Sequence, residues 1–163
     1  MKPKVYLETT IVSYLASKPS RDLITAAHQQ ITHDWWDKRL ADFDVYISQF
    51  VLDEAGAGDA EAAAKRLASL AAFPLLDATP EALNLAKALV ERGAIPPRKA
   101  TDAAHIAVAT VHRIQFLLTW NCAHLANAEI LAQVQVICAQ LGYAAPIVCT
   151  PEELFGEQDD TMA

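Results

Sequence analysis

The sequence is poor in the residues that mark chains without a packed core. Of 163 residues only 5 are glycine and 8 are proline, and there is no internal repeat, low-complexity segment or linker. That excludes a collagen-like or intrinsically disordered chain. Cysteine is scarce as well. Cys122, Cys138 and Cys149 make an odd set, with no Cys-x-x-Cys and no Cys/His pairing at zinc spacing. This argues against a disulfide scaffold or zinc site, and for reduced core thiols in a cytoplasmic protein. There is no excess of positive charge: 13 Lys and Arg face 20 Asp and Glu, a net −7. A fold that grips nucleic acid by a broad basic face usually has the opposite sign. Long apolar runs are also missing. Between Ile114 and Pro151 the only formal charge is Glu129, but Gln133, Gln135, Gln140, Gly142 and Pro146 interrupt the stretch. No run of about 20 apolar residues survives, so no membrane span is expected. Glu8 interrupts the apolar stretch behind Lys2 and Lys4, so no signal peptide is expected either.

What is present is a core. The chain is 53% hydrophobic, and its length fits one domain burying roughly two thirds of its unfolded surface. Short runs that are apolar throughout predict strands at Val5–Leu7, Val45–Ser48, Phe73–Leu76, Phe116–Thr119 and Ile147–Cys149. Helical patterns lie between them. Ile24, Ala27, Ile31 and Trp35, continued by Trp36, Leu40 and Phe43, predict a helix over 22–43. Residues 60–72 are alanine-rich, and Thr79-Pro80 places a hydroxyl cap ahead of a helix-opening proline. Residues 100–113 are apolar almost all round and predict a buried helix. Ala126, Ile130, Val134, Ile137 and Leu141 share one helical face, and Thr150-Pro151-Glu152-Glu153 reads as a capping box. Strands alternating with helices imply an α/β domain over residues 4–155 with a mainly parallel sheet, followed by a polar tail, 156–163. Ligands of such sheets bind beyond the carboxyl ends of the strands, near the switch in strand order.

Most of the acids fit solvated helix faces. Three do not. Glu8 directly follows the first strand, Glu54 follows the apolar run Phe50-Val51-Leu52, and Asp102 opens the most apolar helix. Its neighbour Asp53 would face about 100° away from Glu54 on a helix, toward solvent. Core-edge carboxylates are costly unless paired or bound to metal. Thr119-Trp120-Asn121 adds an amide oxygen at the end of the fourth strand. Oxygen donors of this kind suit Mg²⁺ or Mn²⁺, which can activate water and stabilise charge on a phosphodiester. Taken singly, Glu8 and Asp102 could equally be carboxylates at helix N-termini, favoured by the dipole.

Four segments together resemble the PIN-domain family, in particular the VapC-type ribonuclease toxins of toxin–antitoxin pairs. They are Val5-Tyr6-Leu7-Glu8-Thr9-Thr10, Ser48-Gln49-Phe50-Val51-Leu52-Asp53-Glu54, Thr101-Asp102-Ala103-Ala104-His105-Ile106-Ala107 and Leu117-Leu118-Thr119-Trp120-Asn121. The resemblance implies a three-layer sandwich, a five-stranded sheet with helices on both faces. It implies an acidic cluster of Glu8, Glu54, Asp102 and the position of Asn121, holding Mg²⁺ or Mn²⁺ and cleaving RNA. It gives supporting hydroxyls at Thr9 and Thr119, a cognate antitoxin as partner, and a homodimer.

Two positions depart from the family pattern. Glu8 stands where Asp is usual, and Asn121 where an acid is usual, leaving three formal negatives instead of four. The alternative reading is therefore a weakened or inactive PIN-like binding module that pairs with an antitoxin or another protein. A phosphorelay receiver fits less well, because no acidic pair follows the first strand and Thr150-Pro151 replaces its Lys-Pro. Arg21, Arg98 and Lys99 are candidate RNA phosphate contacts, with solvated charge as the plainer role. His105 is a candidate RNA contact or a partner of Asp102, though a core histidine bonded to backbone is the plainer expectation. Trp35 and Trp36 fit a core stripe better than a base-stacking platform. Once the three site acids and the acidic tail are set aside, the body of the chain is nearly neutral. RNA binding would then rest on a metal and a few local cations.

Overall fold

A computed structural model describes residues 1–157. The expected tail beyond Glu157 lies outside the described residues. Five strands, β1 (Lys4–Leu7), β2 (Asp44–Ser48), β3 (Leu75–Leu76), β4 (Phe116–Leu118) and β5 (Ile147–Cys149), form one sheet in the order β3-β2-β1-β4-β5. Every pairing is parallel. The α/β class and the covered sheet follow from the sequence for one reason. Val5, Tyr6, Leu7, Leu117 and Leu118 are all buried, so both faces of the central strands must be apolar.

The helices are α1 (Thr9–Ala16), α2 (Leu23–Lys38), α3 (Gln49–Ala55), α4 (Ala60–Leu70), α5 (Pro80–Glu91), α6 (Ala100–Val111) and α7 (Ala128–Gln140). The first four pack among themselves, and α5 packs on α6 and α7. This division matches right-handed crossovers that run to β3 on one side and return to β4 and β5 on the other, giving three layers. Strand order reverses between β1 and β4, the place at which sheets of this kind bind ligands.

Several boundaries differ from expectation. The helix expected over 22–43 ends at Lys38. Its continuation, Leu40–Asp42, tightens to 3₁₀, with Asp42 N–H donating to Arg39 O and Phe43 N–H to Leu40 O. The tightening turns Phe43 inward onto Trp35, ring centroids 5.6 Å apart, and starts β2. The strand expected from Phe73 begins at Leu75, because Phe73 N–H still bonds to Leu70 O at the end of α4. Helix α1 occupies a stretch without a helical pattern. Its Thr-Thr-Ile-Val start is β-branched and a poor helix former, and the Glu8 carboxylate, accepting from Thr10 N–H at 3.1 Å, caps it. The caps at Thr79 and Thr150 form as expected. Cys138 and Cys149 are buried thiols, whereas Cys122 is exposed in the loop after β4. No helix of the described residues is long and apolar enough to cross a membrane.

Helices α5, α6 and α7 end in the same double-bonded turn. Ala94 N–H donates to Leu89 O, Ile114 N–H to Ala109 O and Tyr143 N–H to Cys138 O. The residue before each donor takes positive φ: Gly93 at 84°, Gly142 at 85°, but Arg113 at 57°. Only the arginine pays a side-chain penalty for that conformation. Arg113→Gly is therefore expected to raise stability by about 1 kcal/mol, or about 2–4 °C in Tm, by thermal unfolding.

Candidate metal centre

The candidate site is built by strand ends that keep pairing past the strands. Glu8 N–H donates to Leu118 O and Thr119 N–H to Cys149 O, each at 3.0 Å. This sets Glu8 beside Thr119. The Thr119 hydroxyl donates to Glu8 Oε2 at 2.7 Å, and the Thr10 hydroxyl to the same oxygen at 2.5 Å. Thr10 Oγ1 in turn accepts from Trp120 N–H at 2.8 Å, and Thr119 Oγ1 from Asn121 N–H at 2.9 Å. One oxygen of Glu8 is thus held by β4 and α1 together, while these bonds leave Oε1 free.

Glu54 comes from α3, which begins directly after β2. Its Oε1 accepts from the Thr9 hydroxyl at 2.8 Å and lies 2.5 Å from His105 Nε2. On the other side of the ring, His105 Nδ1 is 2.6 Å from the Tyr6 hydroxyl, which is 2.7 Å from the Ser48 hydroxyl. Tyr6, Ser48 and His105 are completely buried. The histidine is a core residue, as expected, but its bonds go to side chains and not to backbone. Full burial also removes it from the candidate RNA contacts.

One ligand atom each from Glu8, Glu54 and His105 lies within 4.8 Å of the others, so this group can hold a metal ion. The spacing fits, since a hard cation sits about 2.0–2.6 Å from each oxygen it binds. Asp102 is outside this tight group. It stands one turn before His105 on the same face of α6, and its Oδ2 is buried without a hydrogen-bond partner. A buried carboxylate oxygen with no donor is costly, and a cation is one way to satisfy it.

The two glutamates differ electrostatically. Burial pushes the Glu8 carboxyl up from its ordinary range, against the lowering effects of the Thr10 and Thr119 bonds. Burial also raises Glu54, but the bonds from His105 and the Thr9 hydroxyl and the charge of the nearby Lys99 outweigh it and hold Glu54 low. Burial raises Tyr6 far above the usual phenol range, so it stays a neutral hydroxyl in the network.

The remaining expected residues fall in three places. Asn121 follows β4, half-buried, but its Oδ1 accepts from His124 N–H at 3.1 Å and closes the local turn. Thr9 and Thr119 support the two glutamates directly. Arg21, Arg98 and Lys99 are exposed, and none forms an ion pair among the described residues. Of these, Lys99 is close enough to act on Glu54. Trp35 is core, its indole N–H donating to Leu154 O, and Trp36 is half-buried against Phe73.

Sequence reasoning missed Tyr6, Thr10 and Ser48. The adjacent Thr9-Thr10 pair was the available signal. Their side chains diverge from the start of α1, one to each glutamate. Nothing in the spacing of Tyr6, Ser48 and His105 shows that three elements bring them together. No protein-family model matches the chain, and no curated protein matches it.

Proposed function

We propose that the chain is a metal-dependent endoribonuclease of the PIN type, the toxin of a toxin–antitoxin pair. The observation that carries this reading is the convergence of Glu8 and Glu54 at the strand-order switch, with the unpartnered Oδ2 of Asp102 one turn before His105 on α6. Glu8, Glu54 and Asp102 would hold Mg²⁺ or Mn²⁺, hard ions that match carboxylate oxygens. When bound, such an ion lowers the pKa of its water and neutralises charge on the phosphoryl oxygens. The chain's own part is to fix the carboxylates. Thr10 and Thr119 hold Glu8, and Thr9 holds Glu54. Lys99 would meet the RNA phosphates beside the site, and Arg21 and Arg98 further out. The antitoxin and a homodimer belong to the same reading.

The engagement of Asn121 Oδ1 in a turn favours a second reading, a PIN-like module that binds a partner without cleaving RNA. One experiment separates the two. Single-stranded and structured RNAs are incubated with the protein in Mg²⁺, in Mn²⁺ and in excess EDTA, with Mn²⁺ binding measured by calorimetry. The nuclease reading expects cleavage in both metals, none in EDTA, and a saturable Mn²⁺ site. Neither binding nor cleavage would leave the binding module.

A further inference from the structure

The buried row Ser48–Tyr6–His105–Glu54 has a direction that metal holding alone does not explain. Glu54 is a carboxylate and can only accept, so the 2.5 Å approach of His105 Nε2 requires a proton on that nitrogen. A nitrogen that carries a proton has no lone pair for a cation. With a neutral ring, Nδ1 accepts from the Tyr6 hydroxyl, and Tyr6 accepts from Ser48, so every member of the row is satisfied. The three donors come from β1, the end of β2 and α6, and each is sealed from solvent.

We propose that His105 is a positioning residue and not a metal ligand. Through Tyr6 and Ser48 its ring is fixed as a donor that clamps Glu54 Oε1 and leaves Oε2 for the cation. This rests on the metal-site reading above. It also gives that reading a selectivity. With the imidazole withheld, the donor set is oxygen only, the hard set that suits Mg²⁺ and Mn²⁺, and it lacks the nitrogen that would strengthen Zn²⁺ or Ni²⁺ further.

The first test is the proton position in the wild type, read from ¹⁵N–¹H correlations of the histidine rings without metal and with Mg²⁺. The expected result is a proton on His105 Nε2 in both states. Loss of that proton, with a shift of Nε2 on adding Mg²⁺, overturns the proposal in favour of ligation. The second test is Tyr6→Phe, which keeps the ring and removes only the hydroxyl. Loss of a partner behind a ligand typically costs about 10–100-fold. Mn²⁺ affinity and kcat are expected to fall about 10-fold in the folded variant, with KM for RNA unchanged. Wild-type affinity and kcat in Tyr6→Phe would overturn the positioning role while leaving the nuclease intact. A wild type that neither binds Mn²⁺ nor cleaves overturns the underlying reading, and the role with it. The metal-free spectrum then still decides whether the row is directed toward Glu54.

Discussion

Asp102→Asn is expected to reduce metal-dependent RNA cleavage by at least about 10²-fold, the upper end of what losing even an outer partner of a metal ligand costs. The change keeps the shape of the side chain and removes its charge. The buried Oδ2 has no hydrogen-bond donor, so without a cation only the α6 dipole offsets the cost of burying this charge. The variant should therefore unfold at the same temperature as the wild type or a higher one. The wild type should gain stability with added Mn²⁺, because a ligand that binds only the folded state raises Tm. The variant should gain much less. The expected pair of results is lost cleavage with retained stability, measured by gel assay and thermal unfolding of the same preparations. Equal cleavage by both proteins would remove Asp102 from the site. A large fall in Tm would make Asp102 a structural residue whose partner is something other than a cation. Such trade-offs between local stability and function belong to sites where charge is buried for chemistry.

Much of this architecture is legible in the chain because burial on both faces of a parallel sheet forces continuous apolar runs. Val5–Leu7 and Leu117-Leu118 announce themselves for that reason, and Asp102 stands out because the helix around it is apolar. Glu8 is legible in the same way, as a charge where the apolar run stops. Other features depend on tertiary pairing, which local pattern does not carry. The β-branched start of α1 reads as strand or loop until Glu8 caps it. The edge strand β3 has two residues, one of them Leu75 at 47% exposed, so the apolar run Phe73–Leu76 overstates it. The role of His105 was hidden for a further reason. A buried histidine reveals its partners only when the strands and helices carrying them are assembled, and Tyr6 lies 99 positions away. Asn121 shows the reverse case. Its position in the sequence suits a ligand, but nothing in the local pattern shows that the same oxygen also closes a turn by accepting from His124 N–H.

Glu8→Gln is expected to remove the loss of stability that accompanies rising pH while abolishing the response to metal. Burial raises the Glu8 carboxyl above its ordinary value of 4.5 in the folded protein, so the folded state holds this proton more tightly than the unfolded chain. Stability from this group is then fully present below that value and is lost as pH rises through the raised folded pKa. Glu54 works the other way. Held below 4.5, it contributes stability above that value, lost as pH falls through its lowered pKa. Gln at position 8 keeps an acceptor for Thr10 and Thr119 but cannot ionise. Metal-free Glu8→Gln should therefore be more stable than the wild type at pH 7, by about 2–4 °C for each 1 kcal/mol of relieved burial. The difference should shrink toward pH 4, where the wild type takes up its own proton. A cation favours the carboxylate form, so Mn²⁺ should stabilise the wild type at pH 7 and leave the variant almost unmoved. Thermal unfolding from pH 4 to pH 8, with Mn²⁺ and with EDTA, measures all of this in one series. A variant less stable than the wild type at pH 7 in EDTA would show that the Glu8 charge is satisfied by the protein alone, leaving no energetic reason for a cation.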